Sequence, residues 1–181
     1  MMSRYFSVFF GILFIFSSCN KKHNEKGLDA YFQGSTMKYN HKLTDVIVGD
    51  IFTPPVASRI YAYTNIAAYE AIRFQDSLMQ SMAGQLQDLE NIPIPEKGKT
   101  YYYPLASIVA FTEVAQSLVF DFERVQLIQK TMLDEVREIG IDQETYKNSI
   151  NLGKAIGEHI LQWAKKDGYN ERTALPRYSV T

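Results

Sequence analysis

What this sequence of 181 residues has least of is cysteine: it contains one, Cys19. A lone thiol excludes any disulfide within the chain. Histidine is nearly as scarce. Of His23, His41 and His159, neither of the last two stands in the Glu-x-x-His or His-Glu-x-x-His spacing that builds a metal site on a helix. A glycine-rich phosphate loop is also missing, because Gly153 and Gly157 fall inside a helical pattern, where a missing side chain lets a neighbouring helix approach. Neither sign of charge dominates. With 19 basic and 20 acidic residues the formal net charge is −1 and the pI is near 6.3, so nucleic acid is not an expected partner. Alternating apolar and polar runs are lacking as well, which leaves helices to build the core.

The N-terminus carries a processing signal. Arg4 supplies a short positive region, and Phe6 to Phe16 is an apolar run of secretory length, well below the roughly 20 residues needed to span a bilayer. Ser17 and Ser18 then precede Cys19, an arrangement that resembles a bacterial lipobox, with Phe16 where that pattern prefers leucine. The resemblance implies that residues 1–18 are a lipoprotein signal peptide and that Cys19 is lipidated. Two or more acyl chains anchor stably where one binds marginally, so the mature chain is expected on a membrane of the bacterial cell envelope, outside the cytoplasm, on the periplasmic face of the outer membrane. Acylation of Cys19 leaves no thiolate for catalysis. Residues 19–36 are polar and without apolar period, and read as a flexible tether.

The rest, 37–181, reads as one all-α domain, a bundle of about five or six helices joined by short turns. Leu43, Val46, Ile47 and Ile51 recur at spacings of three and four, predicting a first helix from Met37 to about Phe52. Pro54 holds Thr53 out of the α region and ends it, while Thr53 is placed to cap the next helix, about Pro55 to Asp76. Ser77–Glu90 is read as a third helix, broken by the prolines at 93 and 95. Helices from Tyr101 or Pro104 to Phe120, from Phe122 to Ile139 and from Asp142 to about Asp167 follow, with Gly140 and Gly168 as stops. The Pro55–Asp76 and Tyr101–Phe120 segments are apolar around so much of their circumference that an exposed apolar face and self-association are expected.

Asp50-Ile51-Phe52-Thr53-Pro54-Pro55-Val56-Ala57-Ser58-Arg59-Ile60-Tyr61-Ala62-Tyr63, then Asn65-Ile66-Ala67-Ala68-Tyr69-Glu70-Ala71, and later Asp167-Gly168-Tyr169 with Leu175-Pro176-Arg177-Tyr178, resemble the opening helices of lipoprotein members of the vanadium-dependent haloperoxidase and type 2 phosphatidic acid phosphatase superfamily. The similarity covers roughly residues 37–181 and implies the N-terminal part of a larger helical enzyme. That superfamily's catalytic blocks are Lys-x6-Arg-Pro, Pro-Ser-Gly-His and Ser-Arg-x5-His-x3-Asp. Their cations hold a phosphate or vanadate oxyanion by charge-assisted hydrogen bonds, and their histidines act as nucleophile or metal ligand and as acid or base.

None of the three blocks occurs in these 181 residues. Ser58-Arg59 matches the third in spacing, but Asn65 and Tyr69 stand where it requires histidine and aspartate. An amide cannot replace an imidazole nucleophile. No catalytic residue, cofactor ligand or metal ligand is therefore expected in the chain. The resemblance implies vanadate as a cofactor only for a full-length protein. The reading that follows is the scaffold part of a haloperoxidase-like or acid-phosphatase-like enzyme, inactive by itself, whose partners are the membrane, through its lipid anchor, and the C-terminal catalytic half. The other reading is a non-catalytic, lipid-anchored helical binding or scaffold protein.

Overall fold

A computed structural model describes residues 23–173, so Cys19, residues 1–18 and the Leu175-Pro176-Arg177-Tyr178 block lie outside the described residues. Seven α-helices occur among them: α1 (Glu25–Phe32), α2 (Ser35–Gly49), α3 (Pro54–Ile72, continued by a 3₁₀ turn at Arg73–Gln75), α4 (Tyr103–Leu118), α5 (Phe122–Ile139), α6 (Gln143–Ala164) and α7 (Tyr169–Thr173). No strand forms among the described residues, and the class is all-α as expected.

The bundle is organised around α4. Leu105 to Thr112, and then Val114 and Ala115, are buried, because the helix is enclosed on every side. One side meets α1, α2 and α5 through Leu28, Leu43, Ile47, Ile108, Met132 and Val136. The other meets α3, α6 and the loop before α4 through Ala67, Ala71, Ala110, Leu89, Ile156 and Ile160. The apolar circumference of α4 is thus consumed internally, which corrects the expectation that this helix presents an open face. Of the exposed large apolar side chains, three gather at two adjoining corners. Ile51 is 87% and Phe120 74% exposed, with Phe122 nearby and the Phe52 and Phe120 rings 4.7 Å apart.

Three further expectations are corrected. The stretch read as tether contains α1, capped by Asn24, whose side chain accepts the Gly27 amide at 3.1 Å. Leu28 and Phe32, four apart and so on one face, are buried, and this contact with the bundle stabilises a helix too short to stand alone. The predicted third helix over 77–90 is a loop. Glu70 of α3 is wholly buried, and its carboxylate accepts from the Met82 amide at 2.6 Å, from Ser81 Oγ at 3.0 Å and from Arg73 Nε at 2.6 Å. A buried carboxylate needs such partners, and bonding to it bends the chain away from a helical path. Lastly, α2 stops at Gly49, short of Phe52, because Ile51 adopts a positive φ of 57°. Thr53 is extended as its proline neighbour requires, yet its hydroxyl makes no cap bond.

Both ends of α5 and the start of α6 fall where local signals put them, whereas α6 stops at Ala164, short of the expected Asp167. Asp121 and Asp142 accept the Arg124 and Thr145 amides, and Gly140 takes a φ of 108° that a side chain would oppose. Leu127, placed on the apolar stripe of α5 by its spacing, is exposed, whereas Val125, Met132 and Val136 are buried.

α4 and α6 run parallel and in close contact. A Cβ at Gly153 would lie 2.5 Å from the Ala106 carbonyl and 2.8 Å from Val109 Cβ, and one at Gly157 would lie 2.8 Å from Glu113 Cβ. Gly153→Ala should therefore lower thermal stability by ~1–3 kcal/mol through overpacking, although the same exchange on an exposed helix face stabilises by up to ~1 kcal/mol. Circular dichroism melts give the sign. Leu28→Ala should cost ~2–5 kcal/mol if α1 is part of the cooperative fold, and an unchanged melting temperature would return that segment to the tether.

Candidate functional site

Polar groups gather where α3 begins and α6 ends. Arg59, on the second turn of α3, donates from Nε to Asp167 Oδ2 at 2.6 Å and from a terminal nitrogen to the Ala164 carbonyl at 3.4 Å. Its guanidinium lies between the Tyr63 and Tyr169 rings, 5.1 and 4.5 Å from their centroids. Asp167 also accepts from the Tyr63 hydroxyl at 3.0 Å and, at its other oxygen, from the Tyr169 amide at 2.9 Å. The result is a clasp that fixes α7 to α3 and α6.

Partial burial pushes the Asp167 carboxyl upward, but Arg59, the Tyr169 amide and the Tyr63 hydroxyl outweigh it and hold the group below the usual carboxylate range. Burial, and then the bond to Asp167, push Tyr63 up to about 12. Tyr63 is accordingly a neutral donor at any physiological pH. Elsewhere, burial pushes Glu113 upward, with Lys154 opposing and Glu158 reinforcing the shift.

Beside the clasp lies a cleft of about 460 Å³, walled by Phe52, Leu118, Val119, Phe120 and Leu161 and edged by Arg59, Glu158, Lys165, Tyr169 and Asn170. A second, more apolar cavity of about 590 Å³ opens between α3 and the 77–90 loop, against Ile66, Ile72, Met82 and Leu86. Neither converges on a set of cations. Arg59 is committed to Asp167, Arg73 to Glu70 and Arg137 to Asp134, while Arg124 donates to the Asp45 carbonyl. His159 Nε2 is 2.7 Å from the Glu90 carbonyl oxygen, and His23 Nδ1 accepts from the Asp142 amide at 3.4 Å. Among the described residues no group of three His, Cys, Asp or Glu side chains is placed to hold a metal ion. These donors do not fit vanadate or phosphate, whose binding needs several cations turned on one oxyanion.

The residues that match the third catalytic block in spacing lie along one face of α3, each bonded to a different partner. Ser58 Oγ bonds the Pro55 carbonyl, Asn65 exchanges reciprocal bonds of 2.9 Å with Asn40, and Tyr69 donates to the Gln80 carbonyl at 2.7 Å. The role of Asp167 is one that reading the sequence did not reveal, since its partners Tyr63 and Arg59 lie 104 and 108 residues away.

No family model and no curated protein matches the chain. A solved structure does: the crystal structure described as that of the first bacterial vanadium-dependent iodoperoxidase, 33% identical, with a TM-score of 0.71. The match covers 84% of this chain and 35% of that one, so the chain spans about a third of its neighbour's length. The bundle has a haloperoxidase-like fold.

Asp167→Asn should lower stability by ~1–3 kcal/mol at neutral pH, because Arg59 is left partly buried without its counter-charge. The folded carboxyl has a lowered pKa, so its contribution is complete above the ordinary value of about 3.9 and is lost as pH falls below it. Melts of the two proteins should therefore converge in acid. A gap that persisted undiminished at low pH would assign the effect to packing.

Proposed function

We propose that this chain is the helical scaffold part of a lipid-anchored, haloperoxidase-like or acid-phosphatase-like enzyme, inactive without a C-terminal catalytic half that carries the oxyanion and histidine blocks. One observation carries the reading: a haloperoxidase-like bundle spans 84% of the chain yet only 35% of its solved neighbour, while the chain's sequence holds none of the three catalytic blocks. The short, mostly buried pairing of Arg59 with Asp167 and of Arg73 with Glu70 supports it. Vanadate belongs to the catalytic half in this reading, and no step of chemistry is assigned to residues 23–173. Exposed Ile51, Phe120 and Phe122, beside the cleft that α7 edges, form the face offered to that half.

Anchoring is the other element. No described helix is long and apolar enough to cross a membrane, and the lipobox-like Ser17-Ser18-Cys19 supplies attachment through acyl chains. In this reading the chain sits on the periplasmic face of a bacterial outer membrane.

Purified residues 19–181, supplied with vanadate, should neither oxidise iodide or bromide with peroxide nor hydrolyse a phosphomonoester above a heat-treated control. Turnover abolished by Arg59→Ala would overturn the assignment and move the chemistry to the clasp. In cells, radiolabelled palmitate should be incorporated by the wild type and not by Cys19→Ala. Label retained by that variant, or residues 1–18 intact on the mature chain, would remove the anchor.

A further inference from the structure

We infer that the anchor holds the bundle end-on, with the α5–α6 turn and the N-terminus of α1 against the bilayer and the cleft end directed away from it. The inference rests on the lipid-anchor reading above and adds its geometry.

It begins with α1, which is locked to one end of the bundle. The Asn24 amide donates to the Gly140 carbonyl at 2.9 Å, and its side-chain amide reaches the Ile139 carbonyl at 3.4 Å. Tyr102 donates to Asp29 at 2.8 Å. Leu28 and Phe32 are buried, and a Cβ on Gly27 would stand 2.9 Å from Ile139. The described chain therefore starts at the α5–α6 turn.

Reach decides the rest. Cys19 precedes His23 by four residues, and four residues span at most ~14 Å however they run. Had residues 19–36 all been tether, the same limit would be ~60 Å and the bundle could turn freely. Folding α1 onto the bundle removes most of that slack. Phe122, by contrast, lies at the far end of α5, whose 18 residues separate it from Ile139 by ~27 Å. The cleft lies at the same far end, between the last turns of α4 and α6.

The near end also has side chains suited to a headgroup layer. Exposed Lys26 is on α1, and Lys97, Lys99 and Ile94 are on the loop that meets the first half of α6, with Ile94 70% exposed. Acids are interspersed, and Glu96 pairs with Lys99 at 2.7 Å. Charge is thus secondary here, and the length of the tether sets the orientation.

Energy transfer on the lipidated protein in vesicles tests this. Acylation consumes Cys19, so one new cysteine takes a single donor dye: Glu144→Cys at the near end or Glu123→Cys at the far end, both at exposed sites. With a short-range acceptor on lipid headgroups, transfer from position 144 should exceed that from 123 severalfold. Equal or reversed transfer would overturn the end-on placement, the first outcome meaning a bundle lying on its side. Inserting about twelve Gly and Ser residues after Asn20 should abolish the difference, because a flexible linker of that length spans ~20 Å on average. A difference that survived would show that something other than the tether orients the domain, and would equally overturn the inference. Palmitate labelling of each variant, read separately, reports whether the anchor reading itself has failed.

Discussion

The close approach of α6 to α4 is the constraint on which the remaining geometry depends. Gly153 and Gly157 bring the backbone of α6 against Ala106, Val109 and Ala110 without intervening side chains, and two helices this close exclude water from most of α4. Their parallel course puts the last turns of both at one end. α3 runs opposite to them, so its Arg59 meets the Asp167 that follows α6. The clasp, the cleft and the start of α7 are all consequences of that one pairing. Glycine weakens an isolated helix, but here the lost propensity is offset by dispersion contacts along the seam.

A second set of bonds shapes the opposite side of α3. Glu70 is ionisable and fully enclosed, and its four short bonds come from Arg73, Ser81 and Met82. The anchored loop then delivers Leu89 and Ile92 onto the core beside Ala67 and Ala71. One buried carboxylate thus replaces the covering helix that the apolar content of 77–90 suggested. Between Gly84 and Asn91 the chain then passes three positive-φ positions, Gly84, Asp88 and Asn91.

Where signals were local, the sequence was sufficient. Asp121, Asp142 and Gly140 act within one turn of the helix ends they set, and α5 begins and ends at the expected Phe122 and Ile139. The all-α class followed from periodicity, and the likeness in fold from the run between Asp50 and Ala71. What could not be read depended on distant partners. α1 offers two apolar residues one turn apart, too few to establish a period, and its stability comes from Tyr102 and Ile139, more than 70 residues on. The 77–90 loop follows a carboxylate on another helix. Ser58-Arg59 with Asn65 and Tyr69 had a catalytic spacing, and the substituted side chains were sufficient to reject it, whereas the clasp that Arg59 does build could be found only in three dimensions.

Electrostatics ties the clasp to the division of labour proposed for this fold. A guanidinium that donates to a carboxylate at 2.6 Å and to a backbone carbonyl, and lies against two aromatic faces, is held firmly in one orientation. At the cleft end this cation joins α3 to the segment that follows α6. The proposed catalytic half would join the bundle beside exposed Ile51 and Phe120, at the end of the molecule remote from α1. In the proposed arrangement the anchored end and the end that would receive the active site are ~27 Å apart along α5. Such a separation would keep an acyl-tethered scaffold from placing its partner's pocket against lipid, and a pocket in that position would meet solutes from the aqueous side.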